Sequence, residues 1–292
     1  MTLNNDIITI KVSEHGAELV SLNKDGCEYL WTGDAQYWNR HAPILFPAVG
    51  KPYNNELHVD GKTYPMKQHG FARDSMFECV NAAMCKCVSM RMRESDLSAG
   101  YPYRLGLEVQ YRLAGRKVEV VWTVENHDDK EVYFQIGAHP GFLLPEYNAA
   151  DEIHGYIRYC DREGQQVNPV AVSALRDGNR VPLASPQNIP SEMPLKADTF
   201  DHDALMFEDG QVTEAILCDK AGTPVLGVSC PQAEAYGIWA PHKEGCSFVC
   251  LEPWCGICDP YGFTSDISTR QYIHRLTPRE QYRFTYTIEI YK

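Results

Sequence analysis

The sequence predicts an all-β fold, a large antiparallel β-sandwich. Long stretches of period-2 alternation, a near absence of helical periodicity and frequent turn signals all point that way. The alternation is clearest from Val118 to Glu125, where Val118, Val120, Trp122 and Val124 share one face, opposite Glu119, Thr123 and Glu125. Between Arg104 and Arg112 the apolar set is Leu105, Leu107, Val109 and Tyr111, with Arg104, Glu108, Gln110 and Arg112 between them. At the C-terminal end Tyr282, Phe284, Tyr286, Ile288 and Ile290 alternate with Arg283, Thr285, Thr287 and Glu289. Successive strand side chains point to opposite faces, so each pattern reads as a strand with one face buried and one wet.

Helical spacing is confined to short candidate turns near Asp34–Asn39 and Glu94–Ala99. Asp60-Gly61, Ala114-Gly115, His127-Asp128-Asp129 and Ala221-Gly222 supply turn chemistry between the alternating runs. No repeat, linker or low-complexity segment divides the chain, so one domain over residues 1–292 is expected. The polar, proline-bearing stretch from Arg176 to Asp198 reads as one long loop that could close over a site.

Composition narrows the function. The 292 residues include 27 Lys and Arg against 39 Asp and Glu, a net charge of −12, which argues against a nucleic-acid partner. No run approaches the roughly 20 apolar residues of a membrane span, so no membrane partner is expected. The N-terminal segment lacks the basic start and apolar run of a secretory signal. With 11 cysteines, an odd number set mostly in strand-like segments, reduced thiols and a cytoplasmic location are expected.

Three segments break the strand pattern with ionisable groups beside Gly or Pro: Gln68-His69-Gly70-Phe71-Ala72-Arg73-Asp74, Gly137-Ala138-His139-Pro140-Gly141-Phe142 and Leu251-Glu252-Pro253-Trp254. Strand ends are where rigid scaffolds hold functional side chains. Singly, each histidine reads more often as a turn or core residue, and Glu252 as a solvated strand end. Only the set of three points to a site.

Those segments carry a resemblance. The run Trp38-Asn39-Arg40-His41-Ala42-Pro43-Ile44-Leu45-Phe46-Pro47, then Val49-Gly50, Asp60-Gly61-Lys62 and His69 to Asp74, resembles the aldose 1-epimerase (galactose mutarotase-like) family and its LacX-like branch. His139-Pro140, Asp203-Ala204-Leu205, Gly237-Ile238-Trp239 and Glu252-Pro253-Trp254 continue it in the same order, from about Ile7 to Ile290. The resemblance implies a β-sandwich with an open sugar cleft and an isomerase that interconverts the anomers of an aldose. A base takes the anomeric hydroxyl proton while an acid protonates the ring oxygen. A carboxylate and an imidazole, with ordinary pKa values of about 4.3 and 6.5, suit those roles. No cofactor and no metal are needed for that chemistry.

Matched residue by residue, the resemblance implies Glu252 as general base, His139 as general acid and His69 as a second pocket histidine. It implies Asp203 as the acid that fixes sugar hydroxyls, with Asp201 an alternative register. Arg73 falls where a related hexose-6-phosphate branch carries a pocket arginine, whose fork suits phosphate or carboxylate. Arg40 and Lys51 are further candidates for a phosphate. Lys51 stands where the family carries arginine, which keeps the charge and loses the fork. Trp239 and Trp254 are candidates for stacking on a sugar face, or for the core.

Cys255 and Cys258 form a Cys-x-x-Cys pair, yet Asp259-Pro260-Tyr261-Gly262 follows with turn chemistry rather than the helix a redox centre needs. Neither Cys85 and Cys87 nor His242 and Cys246 complete a metal-ligand set. Three functions remain open: a mutarotase for a free aldose, one for a phosphorylated hexose, and a non-catalytic carbohydrate-binding protein. The sugar and the oligomeric state are not legible.

Overall fold

A computed structural model of the chain describes residues 1–83, 86–93 and 101–292. Cys85 and the Glu94–Ala99 turn candidate lie outside the described residues. The architecture is an antiparallel β-sandwich. One sheet has nine strands, ordered Glu192–Leu195, Gly155–Cys160, Glu214–Cys218, Pro224–Ser229, Gln281–Ile290, Lys117–Asn126, Leu105–Ala114, Cys87–Met92 and Phe77–Ala83. The three alternating runs are its three longest strands. They pair side by side through Trp122↔Phe284 and Val109↔Trp122, and their apolar residues are buried, Tyr282 only partly.

A second sheet of six strands holds the part of the molecule that concerns function. Its order is Leu205–Phe207, Ala235–Trp239, Phe248–Cys255, Ile136–Ala138 and Ile44–Leu45, with Gly141–Leu143 also paired to Phe248–Cys255. The Phe248–Cys255 strand is buried on both faces. Val249, Leu251 and Cys255 join the main core with Val120, Trp122 and Phe284, so this face packs toward the nine-stranded sheet. Burying one such aliphatic side chain stabilises the fold by about 1.5–3 kcal/mol. Phe248, Cys250, Glu252 and Trp254 take the other face by the period-2 rule.

The turn candidate near Asp34–Asn39 closes as one turn, in which Trp38 N–H donates to the Asp34 carbonyl at 2.9 Å. One reading changes. The stretch from Arg176 to Asp198 is not a loop: Val170–Arg176 and Asn179–Asn188 form a hairpin, and Glu192–Leu195 is an edge strand. The hairpin tip is Asp177-Gly178, both at positive φ (53° and 80°) as a two-residue turn requires. Among the described residues, no helix is long and apolar enough to cross a membrane.

Candidate active site

The register of the six-stranded sheet places the acid–base candidates. Gly137 pairs with Trp254 and Gly141 with Cys250, so the same register sets His139 opposite Glu252. On the other side, Gly237 is opposite Glu252 and Trp239 opposite Cys250. Proline has no N–H for a ladder bond, and here Pro140 and Pro253 flank the facing pair. Two prolines in a central pair of strands thus mark the place where the sheet gives up regularity. The His139 and Glu252 side chains meet there, with Nε2 and Oε2 3.2 Å apart.

Both groups are buried, His139 at 8% exposure and Glu252 at 1%. Burial pushes the Glu252 carboxyl well above its ordinary value; the Trp254 indole beside it pulls the other way, and the Asp203 charge adds to the rise. Burial, with Arg73 and Arg40 adding, drives the His139 imidazole down to about 3. Each group is thus held toward its neutral form, and when both are neutral the pair carries one proton between them. Glu252 Oε2 and His139 Nδ1 are buried without a hydrogen-bond partner among the described residues.

His69 is locked from behind. Its backbone is left-handed at φ 66°, and its N–H donates to the Gly50 carbonyl at 2.7 Å. The Gly50 N–H returns a bond to His69 Nδ1 at 3.1 Å. That bond makes Nδ1 an acceptor, so in the neutral ring the proton sits on Nε2. Burial, with His139, Arg73 and Arg40 nearby, holds His69 neutral by lowering its pKa well below the ordinary value. Gly70 follows at φ 70°, where a Cβ would lie 2.2 Å from the Phe46 carbonyl oxygen; only glycine lets the loop approach so closely.

These groups line one cleft of about 250 Å³, with Trp38, Gln68, Arg73, Asp203, Met206, Trp239 and Trp254 among its other walls. Trp38 stacks on His139 with ring centroids 5.0 Å apart, and Trp239 meets His139 edge-on at 5.6 Å. Trp254 lies flat as floor, reaching from Gly137 to Gly237. A Cβ on those glycines would come within 2.8 and 2.5 Å of its ring. A neighbouring cavity of about 240 Å³, around Tyr147, His154, Phe200 and Phe248, is mostly apolar, and its histidines meet no buried carboxylate among the described residues.

The other candidates sort by position. Asp203, at φ 72°, lines the cleft, whereas Asp201 pairs with His242 at 2.7 Å and does not. Arg73 lines the cleft, its Nη2 donating to the Gln68 carbonyl at 2.8 Å and its Nε unpartnered. Burial and Arg40 lower its pKa to about 10. No carboxylate pairs with it among the described residues, because the adjacent Asp74 is held by Arg40 at 2.7 Å.

Arg40 and Lys51 are not wall residues. Arg40 Nη1 braces the loop through the Arg73 carbonyl at 3.3 Å, and Lys51 Nζ donates to the Asp177 carbonyl at 2.8 Å, tying down the hairpin tip. That tip brings Leu175 and Gly178 to the cleft, a contribution missed in the sequence although Asp177-Gly178 is itself a hairpin signal. Cys255 and Cys258 face different surroundings, the main core and the cleft side.

Residues 1–289 match the family model described as aldose 1-epimerase. The chromosomal protein LacX of Lactococcus lactis subsp. lactis is 25% identical over 297 residues, 99% of this chain and 98% of LacX. A galactose mutarotase related enzyme from Lactobacillus acidophilus superposes with a TM-score of 0.88 at 28% identity, covering 100% of this chain and 97% of that one. A galactose mutarotase-like protein from Lactobacillus casei gives 0.87 at 27% identity, covering 100% and 99%.

Proposed function

The chain belongs to the aldose 1-epimerase family, and from that premise we propose that it is a mutarotase acting on an aldose by general acid–base ring opening. The observation that carries this is the buried His139–Glu252 contact of 3.2 Å at the base of an open cleft. A carbohydrate-binding protein has no use for two ionisable groups held out of water with free lone pairs.

In the reactive form Glu252 is carboxylate and His139 imidazolium, reached from the neutral form by moving one proton across the contact. Glu252 removes the proton from the anomeric hydroxyl as His139 delivers one to the ring oxygen, and the C1–O5 bond breaks. The open aldehyde rotates about C1–C2. The same two groups, now with exchanged protonation, close the ring on the opposite face. His69 Nε2–H supplies a neutral donor to the ring oxygen region, and Asp203 accepts from sugar hydroxyls. Trp239 offers a ring to the apolar sugar face. The protein's own side chains provide every proton transfer.

A phosphorylated hexose is the second reading, favoured by the Arg73 guanidinium, which has no carboxylate partner among the described residues. Polarimetry and exchange NMR on a panel of aldoses and their 6-phosphates test both readings. Anomer exchange above the spontaneous rate is expected for at least one sugar, and none across the panel would refute the mutarotase reading. Arg73→Ala separates the substrates. A charge-assisted bond contributes roughly 1.5–3 kcal/mol, about ten- to a hundredfold in affinity. A loss confined to the phosphate supports the phosphohexose, and equal modest losses support a hydroxyl clamp.

A further inference from the structure

Cys250 stands on the same strand face as Glu252, two residues away, and no step of the proton transfer uses it. Its thiol, a His139 ring nitrogen and a Glu252 carboxylate oxygen lie within 4.8 Å of one another, and all three residues are buried. Among the described residues this is the one group of three or more such side chains whose donor atoms converge. The sequence offered other cysteine and histidine pairs; this trio forms only when two strands come together in register.

We propose that His139, Cys250 and Glu252 form a site for a thiophilic divalent cation of the Zn²⁺ class, and that its occupancy switches the acid–base pair off. Zinc bonds of about 2.0–2.3 Å to N, O and S ligands put neighbouring donor atoms of a tetrahedral site roughly 3.3–3.8 Å apart. The His139–Glu252 separation of 3.2 Å already matches that edge. The Cys250 sulfur lies within 4.8 Å of a donor atom on each of the other two. Three protein ligands leave a fourth position to the cleft, where water or a sugar hydroxyl can sit.

Charge favours the complex. A buried carboxylate or thiolate alone is costly, whereas one dication with one carboxylate, one thiolate and one neutral imidazole sums to zero. Binding releases the thiol proton and the single proton of the His139–Glu252 pair to solvent. The lone pairs engaged by the cation are those needed for proton transfer, so occupancy inhibits. The set of nitrogen, sulfur and oxygen donors selects Zn²⁺ over Mg²⁺ or Ca²⁺, which take oxygen ligands.

The test uses chelator-stripped full-length protein titrated with Co²⁺, then Zn²⁺. A thiolate-to-cobalt absorption band saturating at about one equivalent is expected, as is its displacement by Zn²⁺. Zn²⁺ loading should abolish anomer exchange and EDTA should restore it. Cys250→Ser and Cys250→Ala should retain metal-free exchange, lose the band and need about 100-fold more Zn²⁺ for half-inhibition, since even outer-shell ligand partners are worth 10- to 100-fold in affinity. Glu252→Gln should weaken Co²⁺ binding with an unchanged circular dichroism spectrum. That readout needs no turnover, so the cation site and the mutarotase reading fail separately. No band in the wild type, a band that survives in Cys250→Ser, or full exchange in the Zn²⁺-loaded protein would overturn the proposal.

Discussion

Replacing Glu252 with Gln preserves the side-chain volume at the centre of the site and removes its ability to take a proton. One positioned proton-transfer group is typically worth about 10²- to 10⁴-fold, which at 1.36 kcal/mol per tenfold is about 2.7–5.4 kcal/mol of transition-state stabilisation. The same change should not weaken the fold. Glu252 is 1% exposed and its pKa is raised well above the ordinary carboxyl value by burial. A carboxyl raised on folding favours the native state only below its unfolded value, and that contribution is lost as pH rises through the raised value. Glutamine has no such loss. Its amide brings new donors, at a cost of about 1–3 kcal/mol if they are left unsatisfied, but the neutral His139 nitrogen 3.2 Å from Oε2 can accept one. Anomer-exchange rates, corrected for spontaneous mutarotation, together with urea unfolding at pH 5 and pH 8 are the assay. The expected result is a rate lower by at least about a hundredfold and a stability relative to wild type that improves from pH 5 to pH 8. A near-wild-type rate would remove Glu252 from the mechanism. A rate loss matched by unfolding would show that the residue serves structure instead.

Three further outcomes follow from the geometry. Because burial holds His139 near 3, kcat/KM should stay level as pH falls through the ordinary imidazole value of 6.5; a decline centred there in a pH–rate profile would contradict a one-proton pair. Lys51→Ala frees the hairpin tip by removing a bond to the Asp177 carbonyl. At about 0.5–1.5 kcal/mol, that should raise KM by about two- to tenfold while leaving kcat unchanged. Gly237→Ala drives a methyl to 2.5 Å from the Trp254 ring; overpacking of this kind should lower unfolding stability by about 1–3 kcal/mol and weaken substrate binding, measured by denaturant melts and KM.

The long strands were legible because Val118–Glu125 and its two partners each bury one face and wet the other, which writes the fold directly into alternation. His69, His139 and Glu252 stood out because glycine and proline interrupt strands beside them. The Arg176–Asp198 hairpin was missed because Asn179–Asn188 is mostly exposed toward its far end, so no apolar stripe betrays it. Trp38 gave no local signal as a wall of the site; its place depends on a stack with a residue about a hundred positions later. The choice of Asp203 over Asp201 rests on a left-handed backbone, which a run of Asp, His and Asp leaves unspecified. Arg40 and Lys51 carry charge suited to a phosphate, but the structure engages both in bracing loops. Cys250 reads in the sequence as one more strand cysteine, and only the Gly141↔Cys250 register brings His139 to it and Glu252.

Trp254 rests on Gly137 and Gly237, two residues from different strands that contribute no side chain of their own. The floor of the cleft is therefore a compromise among three positions on three different strands, and none can drift alone. A larger residue at either glycine demands a smaller ring at 254, and a smaller ring opens a void that only bulk at the glycines can fill. In homologues, these three sites should change together or not at all, and a lineage that has swapped the indole for a compact side chain should be found with alanine or serine beneath it.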